Sequence, residues 1–132
     1  SMNIYILIAG ILSFLLGVIH SILGEYLIFN DKREKGNLVP TKMNEAINVK
    51  HLRIIWSTWH LLSFFGWGIA AILVKLSLTT EILNSELIRF MLNSFIITMI
   101  ASSLLVLIGT KGKHPGWIVL LIIGILLLKG SL

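Results

Sequence analysis

Long apolar runs limit what this chain can become more than any other feature. Four follow one another, from about Ile4 to Phe29, Leu52 to Val74, Leu87 to Ile108 and Trp117 to Leu128. A bilayer span needs roughly 20 apolar residues, and the first three runs qualify. The fourth reaches that length only if Pro115 opens its helix and Ser131 lies near its end. Proline is well tolerated in a first helical turn. Lipid offers backbone polar groups no partner, so such runs fold as helices. The chain is 56% hydrophobic and 13% charged, whereas soluble domains are about half apolar and a quarter charged. The expected fold is all-α, an up-down four-helix bundle of four transmembrane helices. The spans fall at about 4–29, 52–74, 87–108 and 115–131, in a single transmembrane domain over 2–132.

Ser1, which precedes Met2, is set aside, and the first span is expected to be retained rather than cleaved as a signal peptide. It is too long for one, has no basic start and offers no obvious small-residue cleavage site. With no cysteine in the chain, disulfides and thiolate chemistry are excluded. The connector that opens with "NDKREKGN" is polar, and a helix starting near Pro40 and Thr41, with Lys42, Asn44 and Glu45, is expected to run on into the second span. "SLTTE" or "NSE" is expected to cap the third.

The net charge of +5 points to lipid headgroups and the positive-inside rule rather than to nucleic acid. Lys32, Arg33, Lys35, Lys42, Lys50, Arg53, Lys111 and Lys113 fall on one side of the spans. Lys75, Arg89 and Lys129 fall on the other. Both termini are therefore expected outside and the basic loops in the cytoplasm.

Within this apolar frame, "HSILGE" places His20 and Glu25 inside the first span. Ionisable residues there are costly and mark a site or a partner. Counting from the outer face at 1.5 Å per residue, His20 lies roughly 24 Å deep, His60 about 21 Å and His114 about 22 Å. Three helices can thus present imidazoles at one level, with Glu25 just below. His51 and His60 are nine residues apart and point to opposite faces of their helix. His60 is the inward one, framed by Trp56, Ser63, Phe64 and Trp67. Gly10, Ser13, Gly17, His20 and Gly24 form a small-residue stripe suited to close helix contact. On the third helix Ser94, Thr98 and Ser102 form a polar row, which could bond the histidines or its own backbone.

Neutral imidazoles with a carboxylate suit a transition metal, Zn, Cu or Fe. The leading expectation is a site of His20, His60, His114 and Glu25 in the cytoplasmic half of the bundle. Ser21, Trp56, Ser63, Trp67, Thr98, Ser102 and His51 would surround it. Against it stands a purely structural account, with His20 bonded across helices, Glu25 paired with Arg53 or His51, and tryptophans gathered at the interfaces. Haem b held by His20 and His60, with porphyrin room beside the glycines, is the alternative cofactor. A proton relay or transporter would need a homo-oligomer to build its pathway. The linear sequence offers no phosphate loop, no assembled Ser-His-Asp set and no paired glycosidase acids, so a metal would have to be the catalyst of any enzyme here.

"HSILGE", "WSTWHLLSFFGWG" and "GTKGKHPGW" together resemble a group of small bacterial four-span integral membrane proteins to which no activity is attached. Their pattern is His-Ser-x-x-Gly-Glu in the first span, Trp-His in the second, and a Gly-Lys/Arg-Gly-Lys/Arg-His turn before the fourth. It falls here on His20, Ser21, Gly24, Glu25, Trp59, His60, Gly112, Lys113 and His114, with His51 outside it. The likeness implies the same four-span layout in a bacterial plasma membrane.

Overall fold

The structure, a computed structural model, describes residues 2–42, 47–79 and 85–132. Among the described residues the chain forms four α-helices and no strand. They are α1 (Ile4–Gly24), α2 (Val49–Ser77), α3 (Glu86–Gly109) and α4 (Gly116–Gly130). A π-helical turn, Glu25–Phe29, and a 3₁₀ turn, Asn30–Lys32, extend α1.

Each start follows from local chemistry. Asn3 Oδ1 accepts the Ile6 N–H (3.2 Å), Asn48 Oδ1 that of His51 (2.9 Å) and Ser85 Oγ that of Ile88 (3.3 Å). These bonds satisfy backbone donors that a helix start leaves open. Pro115, which has no N–H to leave unpaired, precedes α4. The "NSE" cap of α3 is therefore Ser85; of "SLTTE", Thr80 and Glu81 lie outside the described residues. Thr41 and Lys42 are not helical, and α2 begins only at Val49. The expected early start falls otherwise on residues 43–46, outside the described residues. At the end of α3, Gly112 N–H reaches Leu107 O (2.8 Å) and Lys111 N–H reaches Ile108 O (3.3 Å). This is a Schellman closure, with Lys111 at φ 53° and Gly112 at φ 73°.

α1 packs against α2 and α4, and α4 packs against α3, so the spatial order is α2–α1–α4–α3. The start of α1 meets the ends of α2 and α4. Asn3 N–H donates to Ser77 O (2.8 Å) and Asn3 Nδ2 to Gly130 O (2.8 Å). Above this tie lies the apolar core, where Ile6, Leu73, Leu92, Ile123 and Leu127 are almost wholly buried. All four helices contribute at this termini end. The loop end, formed by the end of α1 and the start of α2, is built differently and carries the polar residues.

Ile4–Lys32, Val49–Ser77 and Glu86–Gly109 are each long and apolar enough to cross a membrane. Gly116–Gly130 is apolar but has 15 residues, about 22 Å of helix against a hydrocarbon layer of about 30 Å. Large apolar side chains such as Ile22, Phe64, Phe65, Leu105 and Ile108 stand on the outside, as they do where lipid is the solvent.

Candidate functional site

Close approach of α1 and α2 sets up the site. Every second turn, a glycine of α1 admits a bulky group of α2. Gly10 lies against Leu73 and Val74. A Cβ at Gly17 would stand 2.6 Å from Trp67 Nε1, and one at Gly24 would overlap the Trp59 indole. The space beside these glycines is thus filled by indoles.

Those indoles then reach across. Trp67 Nε1 donates to Phe14 O (3.3 Å) and Trp59 Nε1 to His20 O (2.9 Å). Trp56 Nε1 donates to the Glu25 carboxylate (2.7 Å). Each bond gives an indole N–H an acceptor inside an apolar contact, where leaving it unmade costs about 1–3 kcal/mol.

Glu25 is the centre of the network. Its Oε1 accepts from Trp56 and from His60 Nε2 (2.8 Å), and its Oε2 pairs with Arg33 Nη2. Behind His60, Nδ1 meets Ser21 Oγ at 2.8 Å, and the Ser21 and Ser63 hydroxyls share a hydrogen bond of 2.7 Å. A carboxylate can only accept, so His60 Nε2 donates to Glu25; Ser21, with one hydroxyl proton, donates either to His60 Nδ1 or to Ser63. Among the described residues no buried side-chain nitrogen or oxygen lacks a hydrogen-bond partner. The site is half-open: the side chains of Glu25, Arg33 and His60 keep 33%, 19% and 15% of their surface.

The backbone explains why these groups meet. Glu25 opens the π-helical turn, and such turns recur at functional sites. The fully buried Phe29 closes that turn with its ring 6.0 Å from Trp59 and 6.1 Å from His60. The 3₁₀ turn then brings Arg33 back beneath Glu25, with Arg33 Nε held by Leu38 O (2.7 Å).

The remaining site residues scatter. His20 stacks flat on Trp59, centroids 4.3 Å apart and planes 8° apart, and its Nε2 bonds Trp59 O (3.1 Å). His114 is exposed in the turn before α4, where its Nδ1 accepts the Gly116 N–H (3.0 Å). His60 and His114 both lie within electrostatic reach of His20, yet each imidazole has its own partner. Among the described residues no group of three or more His, Cys, Asp or Glu is placed to hold a metal ion. His51 is exposed, and its backbone N–H joins the cap of α2. Thr98 closes on its own helix through Ser94 O (2.8 Å), as Ser94 does through Phe90 O (2.9 Å), and Ser102 lies half-buried on that helix. Because α3 packs on α4, this row serves its own backbone rather than the histidines. Trp67 bonds α1 two turns away from His60, and Phe64 faces outward.

Two features correct the sequence reading. Glu25 pairs with Arg33, whereas Arg53 and His51 are exposed. A Ser-His-acid set does assemble, from Ser21, His60 and Glu25, although no linear motif signals it. The weak signal was the i, i+4 spacing of Ser21 and Glu25, which puts both on the α2 side of α1.

Beside this network an open pocket of about 460 Å³ is lined by Ser21, Ile22, Glu25, Tyr26, Asn30, Arg33 and His60. The lining is mostly apolar, and of its residues Ile22 and Tyr26 are 61% and 77% exposed. Comparison with family models, curated proteins and solved structures returns no match for this chain.

Proposed function

We propose that the chain is an integral protein of the bacterial inner membrane that binds the polar head of a membrane amphiphile between α1 and α2. The observation that carries this reading is the pocket's mixed lining: Ser21, His60, Arg33 and Asn30 bring polar groups to a largely apolar surface that includes the outward-facing Ile22 and Tyr26. It sits where the apolar run of α1 gives way to Asn30, Asp31 and Lys32, the depth of lipid headgroups. Its volume matches a head and the first carbons of a chain, at the low end of ligand pockets, about 300–1,000 Å³.

An anionic head fits best. Arg33 uses Nη2 for Glu25 and Nε for Leu38 O, and a guanidinium has five N–H donors, so donors remain for a ligand. Lys32, Lys35, Lys50 and Arg53 add positive charge at this end. By the positive-inside rule the loop end is cytoplasmic, both termini are outside and α4 completes a fourth span. The absence of cysteine makes topology easy to test. A thiol reagent that cannot cross the membrane should label Leu132→Cys from outside and Asn37→Cys only after lysis; the reverse pattern inverts the topology.

Ligand binding is tested by native mass spectrometry of the full chain released from nanodiscs. An anionic lysophospholipid should be retained over a zwitterionic one, and Arg33→Gln should remove the preference. Equal retention of the two overturns the reading. A metal site is the second reading, favoured by His60 Nε2 and Glu25 Oε1 lying 2.8 Å apart, close enough to share one ion. Against it, the Arg33 guanidinium already neutralises Glu25. Stoichiometric Zn, Cu or Fe in protein purified without chelators, lost in both His60→Ala and Glu25→Ala, would establish the metal reading instead.

A further inference from the structure

We infer that Ser21 is a nucleophile, activated by His60, that cleaves an acyl ester of the amphiphile bound in this pocket. For its substrate the inference rests on the amphiphile reading; for its chemistry it rests on three distances and a cavity. Ser21 Oγ lies 2.8 Å from His60 Nδ1, and His60 Nε2 lies 2.8 Å from Glu25 Oε1. Nucleophile, base and orienting acid in hydrogen-bonded sequence are the geometric mark of activated-serine chemistry, whatever the fold or the residue order. Here the imidazole is turned end for end relative to the familiar serine hydrolases. Nδ1 faces the serine and Nε2 the acid, and either ring nitrogen can serve as base.

The surroundings meet the other requirements. Glu25 accepts from Trp56 Nε1 and His60 Nε2 and pairs with Arg33, so it orients the His60 ring with Nδ1 toward Ser21. Ser21, His60, Arg33 and Asn30 line the same open pocket, so an ester that enters it lies beside Ser21. Arg33 and Asn30, which line the same pocket, are the N–H donors assigned to the negative charge that develops on the carbonyl oxygen. A structural serine in a membrane helix commonly bonds its own i−4 carbonyl, as Ser13 does to Ala9 O (2.8 Å). Ser21 instead points across to His60 and Ser63.

The step balances without any further reagent than water. Ser21 Oγ forms a bond to the acyl carbon as its proton passes to His60 Nδ1. The ester C–O bond breaks, and the His60 proton goes to the departing alkoxide, which leaves as an alcohol. A water molecule then attacks the acyl-serine, giving one proton to His60. The acyl–Oγ bond breaks, the carboxylic acid leaves, and His60 returns the proton to Ser21.

The test uses a fluorophosphonate, which phosphonylates activated serines, on the full chain in nanodiscs. The labelled residue is mapped by mass spectrometry, and retention of an anionic ether-linked lysophospholipid, which has no ester to cleave, is measured on unlabelled protein of the same preparation. Ser21 should be labelled ahead of the exposed Ser57, and Ser21→Ala should lose the label. His60→Gln should slow labelling about 100-fold, the scale of general-base assistance. Mapping the native chain needs no variant, so a misfolded mutant cannot hide the answer. No preference for Ser21 in protein that retains the amphiphile overturns the nucleophile and leaves the binding reading standing. Labelling of Ser21 without amphiphile retention does the opposite. Loss of both ends both.

Discussion

Two helical hairpins of similar apolar character are joined in different ways. Between α1 and α2, three indole N–H groups, the His20–Trp59 stack and the Ser21–His60–Glu25 chain cross the contact. Between α3 and α4, a single side-chain hydrogen bond crosses among the described residues, Ser103 Oγ to Trp117 O (2.7 Å). The rest of that contact is apolar fit, with Gly124 set against Met99 and Ile100. In lipid there is little hydrophobic drive between helices, so both hairpins depend on small residues and close packing. Polar cross-links are therefore not needed merely to pair two such helices. Their concentration in one hairpin, at one end, beside the pocket, is what makes that end the candidate site.

Substitutions at matched positions can break or sharpen this contrast. The largest effect is expected at the glycines. Gly24→Ala would drive a methyl into the Trp59 indole, which is pinned by its bond to His20 O and its stack on the His20 ring. A loss of about 3 kcal/mol is expected from overpacking. Gly124→Ala meets Ile100 Cγ1 at 3.2 Å, a side chain able to shift. There the helix propensity of Ala, about 1 kcal/mol better than Gly, should bring the net change close to zero. Denaturant unfolding of the full chain in micelles measures both, and equal losses would erase the distinction between the hairpins.

Next comes Glu25→Gln, which leaves Arg33 facing a neutral amide and should cost about 1–3 kcal/mol. Its counterpart Ser103→Ala frees one carbonyl at Trp117 and should cost about 1 kcal/mol. A Glu25 variant no less stable than the Ser103 variant would show that the network contributes nothing beyond one hydrogen bond. The smallest change is at the turn that joins the second pair. Lys111 holds φ 53°, and Lys111→Gly should raise stability by no more than about 1 kcal/mol, the cost of a left-handed non-glycine residue. A fall in the unfolding midpoint would mean that the lysine side chain contributes more than its backbone strain removes.

Much of the helical layout was legible because long apolar runs have few alternatives. α2 and α3 begin and end within three residues of the expected 52–74 and 87–108, and α4 lies inside 115–131. The glycine stripe of α1 does face a neighbouring helix, since small residues on a membrane helix are most useful where backbones approach. The partners of Glu25 were harder to read. In a straight α-helix Arg33 would stand about 80° around from Glu25 and two turns further on. The π and 3₁₀ turns between them change that geometry, and hydropathy carries no trace of either. The alignment of histidines by depth met a similar limit. Rise per residue gives a height along a helix, but not which backbone carbonyl or ring an imidazole will meet there.

Sequence alone determined that this chain is helical and that His20, Ser21 and Glu25 sit in an apolar helix where polar groups must find partners. The cost of an unpaired polar group in a poor solvent requires that much. Tertiary structure alone decided who those partners are. Gly24 lets the Trp59 indole seat against α1, the π turn redirects the chain after Glu25, and His60 is left between Ser21 and Glu25 while His20 turns to Trp59. Hydrogen bonds act over about 3 Å and within narrow angles, so small shifts of two packed backbones choose among partners that the residue types leave equivalent.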